Sequence, residues 1–279
     1  MKTLLIPVDF SDATENVISY AAGFCRDTHV GCIILLKSFY VSVYAQLLPS
    51  ADFVQLSAED IDEEREKAEE NLKALGLELL KICDPSVHVK TAVSELPLVR
   101  AIHRLIADER PEMVMIGTDK SLYEDNGYIS EQVIAIAKTS SVPLLIVPNH
   151  IRYEKINEAL VPCDFAAISR LSALKGFRDP KKWMHPKLML LNVDPKQKHL
   201  KNDEQFAAGL VDLLEGYEYK VYYSEDKDIV HGILDFVEKQ DPQLIIALPG
   251  KYSFFYNLTH HSITKTLALN ANRAVLILK

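Results

Sequence analysis

The chain has 279 residues, 48% of them hydrophobic and 25% charged, a balance that suits two globular domains of about 140 residues each better than one small core. Its net charge of −8 and the lack of any long basic run argue against nucleic acid or an anionic membrane as the main partner, and no segment approaches the roughly 18 consecutive apolar residues of a membrane span. Four scattered cysteines (Cys25, Cys32, Cys83, Cys163) without metal or redox spacing read as reduced thiols and predict a cytoplasmic protein.

In chain order, the opening MKTLLIPVDF reads as a first strand rather than a leader, because Pro7 and Asp9 interrupt the apolar run. Thr3 to Val8 is apolar throughout, as a strand buried on both faces should be. Ser11 is placed to cap a helix whose apolar positions Ala13, Val17, Ala21 and Phe24 recur at helical spacing. Cys32 to Leu36 is a second strand. Ala58 to Ile82 is a long charged helix with Leu72, Leu75, Leu79 and Ile82 inward, and Val87 to Val93 alternates like a strand. Leu98, Ile102, Leu105 and Ile106 mark the next helix, and the strands Met113 to Gly117 and Leu144 to Val147 flank a helix from Glu131 to Thr139.

The pattern then repeats. Leu5-Ile6-Pro7-Val8-Asp9-Phe10 matches Leu160-Val161-Pro162-Cys163-Asp164-Phe165, and the block from Pro111 to Val147 matches Pro242 to Leu278 without a gap. The second block recurs at a shorter spacing, so the first copy carries extra residues around Tyr40 to Asp62. The domains are expected at 1–150 and 151–279, joined by a polar stretch from His150 to Asn157. Strands alternating with helices predict an α/β fold of two doubly wound, mainly parallel five-stranded sheets.

Ligands of such sheets sit beyond the carboxyl ends of the strands where the strand order reverses, here between the first and fourth strands. In the first copy this assembles Pro7, Val8, Asp9, Gly117, Lys120 and the helix start at Ser130. In the second it assembles Asp164, Gly250, Lys251 and Ser262. A carboxylate there can take a ribose or adenine donor, and a helix N-terminus offers free N–H groups to phosphate.

A strand ending in Pro7-Val8-Asp9, a helix rich in small residues, a fourth strand reaching Gly117 and a final Pro143-Leu144-Leu145-Ile146-Val147 strand resemble the universal stress protein family, twice over. The resemblance implies a Rossmann-like topology of the adenine nucleotide alpha hydrolase type, a stress-response role, and an adenine nucleotide, ATP or AMP, as ligand. ATP-binding members carry G-x-x-G, nine residues, then G followed by S or T. Here Lys120 stands at the second glycine and Ser130-Glu131 at the last pair. In the second copy Leu248, Lys251 and His261 replace all three glycines while Ser262 is kept. Lost glycines remove close backbone approach to phosphate, and Glu131 puts a negative charge in the first turn of a helix. The expected binding is therefore weak.

Each residue also has a plainer role. Asp9 and Asp164 favour the helices that follow them, Gly117 serves a turn, Ser262 caps a helix, and Lys120 and Lys251 are solvated. No catalytic motif is present and no metal site is predicted, which favours a non-catalytic protein over a nucleotide hydrolase. The rival reading is an interaction module with vestigial pockets. The apolar final strands predict an internal pseudo-dimer in which they meet, with a homodimer as a further partner arrangement. The apolar segment Tyr40 to Gln55 is expected to pack over the first crevice or against the other half.

Overall fold

A computed structural model of the chain describes residues 2–39, 58–118, 128–177, 184–194, 209–248 and 272–279. The first half runs β1 (Lys2–Val8), α1 (Asp12–Thr28), β2 (Val30–Ser38), α2 (Ala58–Ile82), β3 (His88–Ser94), α3 (Leu98–Glu109), β4 (Met113–Thr118), α4 (Tyr128–Thr139) and β5 (Leu144–Pro148). The second runs β6 (Glu158–Pro162), 3-10 turns over Phe165–Phe177, β7 (Lys187–Val193), β8 (Tyr219–Ser224), α5 (Ile229–Gln240), β9 (Leu244–Ala247) and β10 (Ala274–Ile277). Residues 209–213 are also helical.

The strands form one sheet in the order β3-β2-β1-β4-β5-β10-β9-β6-β7-β8. Every pairing inside a half is parallel, and the order is the same in both halves. The two final strands meet: β5 and β10 pair antiparallel, Val275 opposite Ile146 and Ile277 opposite Leu144. The reason is compositional. All five residues of β5 and all four of β10 are buried, and an edge so apolar is left with unpaired N–H and C=O groups unless another strand covers it.

Period-two alternation divides the core into a layer on each face. Leu4, Ile6 and Val8 join α1 and α2 on one side, while Leu5 joins α3 and α4 on the other. Both layers continue through the second half. Leu4, Leu5 and Ile6 are fully buried, each contributing about 2 kcal/mol by apolar burial.

Three sequence readings are corrected here. Ile82 is 57% exposed rather than inward. The helix expected from Glu131 begins at Tyr128, so Ser130 lies within the first turn and not at its cap position. The second copy does not repeat the first helix: Phe165–Phe177 winds as 3-10 turns in its place. The stretch after β5 packs along α1. Asn16 Nδ2 donates to the carbonyls of Pro148 (2.9 Å) and Ile151 (3.1 Å). The Tyr153 ring packs edge-on against Tyr20 and occupies the space a Cβ on Gly23 would need: such a Cβ would lie 2.4 Å from the ring's Cδ1. Its hydroxyl donates to Asp27 at 2.7 Å, and burial together with that carboxylate pushes the phenol pKa up. The connector is thereby fastened along α1.

Candidate functional site

β1 and β4 are adjacent, with Leu4 beside Met113 and Leu5 beside Val114. Carried to the carboxyl end, that register sets Val8 level with Gly117. Asp9 follows at the switch point, exposed, while Pro7 and Val8 are buried beneath it. Its Oδ1 accepts from the Ser11 amide (3.0 Å), the Ser11 hydroxyl (2.6 Å) and the Thr14 hydroxyl (2.7 Å), and its own amide donates to Thr14 Oγ1 (3.0 Å). No donor among the described residues reaches Oδ2. Partial burial works to raise the Asp9 carboxyl, but the hydroxyls, the Ser11 amide and the charge of Lys37 outweigh it and hold it below its ordinary value. It is an oriented carboxylate, ionised at neutral pH.

Ser11 occupies the N-cap position of α1 with extended geometry, but its side chain makes no cap hydrogen bond. The hydroxyl is spent on Asp9 instead, a correction to the capping role read from sequence.

Sequence reasoning missed Phe10. Its φ is 67°, whereas the other non-glycine residues with positive φ among the described residues (His29, Arg110 and Asp241) each end a helix. A bulky residue held in the left-handed region is strained, and such strain gathers at functional sites. The ring is 37% exposed and lies under the Lys37 ammonium, 4.9 Å from its centroid. The available signal was an aromatic directly after the strand-ending aspartate, where a tight turn favours glycine.

Gly117 is also corrected. It lies inside β4, not in a turn, and a Cβ there would come within 2.4 Å of the Ala13 carbonyl oxygen. The glycine admits the first turn of α1, and that packing accounts for it without a ligand. In the second half, Ala159 beside Leu244 and Leu160 beside Ile245 set Cys163 level with Leu248 in the same way. Asp164 is exposed at the end of β6, and burial, with the Asp164 charge, pushes the Cys163 thiol pKa up. Lys120, Gly250, Lys251 and Ser262 lie outside the described residues, as does the segment Tyr40 to Gln55. Among the described residues no group of acidic, cysteine and histidine side chains could hold a metal ion, and no helix is long and apolar enough to cross a membrane.

A doubly wound α/β sheet with an oriented carboxylate at the β1–β4 switch defines a Rossmann-like protein with its crevice at the strand ends. The chain belongs to the universal stress protein family, whose family model matches residues 1–148. Among solved structures, a universal stress protein from Archaeoglobus fulgidus DSM 4304 is similar over 99% of this chain and 98% of its own, at 19% identity and a TM-score of 0.71. The cytoplasmic domain of a prokaryotic cation chloride cotransporter is similar over 99% of this chain and 95% of its own, at 14% identity and a TM-score of 0.51. A universal stress protein family protein from Arabidopsis thaliana with AMP bound aligns with 53% of this chain and 92% of its own, at 13% identity and a TM-score of 0.36. No curated protein matches the chain by sequence.

Proposed function

We propose that this is a non-catalytic stress-response protein of the cytoplasm, built of two units (1–150 and 151–279), whose first unit binds an adenine nucleotide weakly at Pro7, Val8, Asp9 and Gly117. The observation that carries the reading is Asp9, ionised and oriented by Ser11 and Thr14, with Oδ2 unclaimed among the described residues. Such a carboxylate accepts from a ribose hydroxyl or a base amine, and the exposed Phe10 ring beside it offers a face for stacking. Glu131, in the first turn of α4, opposes each added phosphate charge, so AMP is preferred to ATP. In the second unit the repeat assigns the corresponding, poorer site to Asp164, Gly250, Lys251 and Ser262.

Calorimetry tests this directly. AMP is expected to bind the whole chain more tightly than ATP, Asp9→Ala to abolish that binding, and Glu131→Ser to strengthen ATP binding by about 1 kcal/mol. ATP binding tighter than AMP, or no nucleotide binding at all, overturns the reading. The second outcome favours the rival, an interaction module with vestigial pockets, for which the close packing of Gly117 against the Ala13 backbone speaks.

A further inference from the structure

Beside Asp9 and Phe10 stands a cation that sequence reasoning did not single out. β2 is apolar from Cys32 to Leu36 and turns polar at Lys37, which pairs with Val8 in the β1–β2 register. Period-two alternation puts Lys37 on the face of Ile33 and Leu35, the α1 side of the sheet. The strand end is fixed: the Phe39 amide donates to the Ser94 carbonyl (2.9 Å) and the Ser38 hydroxyl to that of Leu96 (2.6 Å). Lys37 thus has a set root beside the crevice. Its ammonium makes no hydrogen bond or ion pair among the described residues and stands over the Phe10 ring, 4.9 Å from the centroid.

An ammonium held by a ring alone is held weakly where solvent reaches it, and the Phe10 ring is 37% exposed. A planar base stacked on that face of the ring takes the ammonium's place. The displaced head stays in the crevice, because its root does not move. A ligand that carries a base and an anion together supplies both the displacing group and a new partner for the cation. The second half lacks this arrangement. Phe165 repeats Phe10, but the β6–β7 register, carried one residue past Pro162 and Leu191, sets the neutral Asn192 where Lys37 stands.

We propose, resting on the nucleotide reading above, that Lys37 sets the specificity of the first crevice: a base displaces its ammonium from Phe10, and the freed ammonium pairs with the ligand's phosphate. The crevice is thereby selective for a nucleoside monophosphate over a nucleoside. Adenosine breaks the contact between Lys37 and Phe10 and returns nothing to the ammonium, whereas AMP replaces it with a charge-assisted hydrogen bond. Without that ammonium, Glu131 leaves the uncharged nucleoside as the better ligand.

Calorimetry with adenosine and with AMP on the whole chain tests the proposal. The wild type is expected to prefer AMP by about tenfold at low salt, and the preference to shrink as salt is added. Lys37→Gln keeps the stem and removes the charge, and should move the two ligands in opposite directions. Adenosine binds about threefold more tightly, because no cation has to leave the ring, while AMP weakens until it is the poorer ligand. Lys37→Ala should show the same reversal, and Lys37→Arg should retain the wild-type preference. A merely structural role for Lys37 would weaken both ligands together. A wild type that binds AMP no better than adenosine overturns the proposal and leaves the nucleotide reading standing. So does a Lys37→Gln chain, folded by its thermal melt, that keeps the AMP preference or loses both ligands equally. A wild type that binds neither adenosine nor AMP overturns both.

Discussion

Both halves follow their first strand with a crossover segment, yet α1 is an α-helix while Phe165–Phe177 winds as 3-10 turns. The repeat shows what differs. In the first half Ala13 meets Gly117; the corresponding residues of the second half are Ile168 and Leu248. A backbone can approach a glycine in β4 to a distance that a leucine forbids. Leu248 is instead buried in the same core layer as Leu171 and Leu174. The apolar residues of the second segment (Phe165, Ile168, Leu171, Leu174 and Phe177) also recur every third position. A 3-10 helix has three residues per turn and holds such a set in one column, whereas an α-helix would turn part of it away from the core.

The largest effect is expected from exchanging these residues. Gly117→Leu drives a side chain into the Ala13 backbone, which cannot yield as a side chain would, and should cost about 3 kcal/mol with loss of helical ellipticity. Leu248→Gly should cost a similar amount, roughly 3 kcal/mol, by opening a cavity, without converting 165–177 to α-helix while Ile168 remains. Denaturant titration followed by far-UV circular dichroism reads both. A neutral Gly117→Leu would break the account.

Next in size is the connector, which fastens α1. Tyr153→Ala removes two edge-on ring contacts and a hydrogen bond, and should cost about 2 kcal/mol; Tyr153→Phe should lose about 1 kcal/mol. Hydrogen exchange should quicken in α1 and remain unchanged over 165–177. Equal quickening in both would mean that the two segments are held in common.

Much of this was legible in the sequence, because burial leaves periodicity behind. The bounds of α2 follow from its charged run and from Leu72 and Leu79, both fully buried, and the adjacency of β1 and β4 follows from the alternation of elements. The docked connector was not legible. Its polar residues look solvated, and the contacts that fix it pair Asn16 and Gly23 with residues more than a hundred positions away. The strain at Phe10 was hidden for another reason: backbone conformation leaves no period in the sequence. The switch point was legible as a place, at the end of β1 beside β4, while the packing of Gly117 needed the distance to Ala13.

The smallest effect separates Asp9 from Asp164. Ala166 stands where the repeat places Ser11, so the second half cannot copy the clamp of two hydroxyls around Asp9. The folded Asp9 carboxyl lies below its ordinary value of 3.8, so its contribution to stability is complete above that pH and is lost as the pH falls through the lower folded value. Asn at this position still accepts a hydrogen bond at Oδ1 but carries no charge. Because the group is exposed, Asp9→Asn should cost less than about 1 kcal/mol at pH 7. Urea titrations repeated at falling pH should show the difference from wild type shrinking below pH 3.8 and vanishing once Asp9 is protonated in the folded state. A difference that is absent at neutral pH, or that favours the variant there, would mean the carboxylate is held at a cost to folding, as a binding group and not as a structural one.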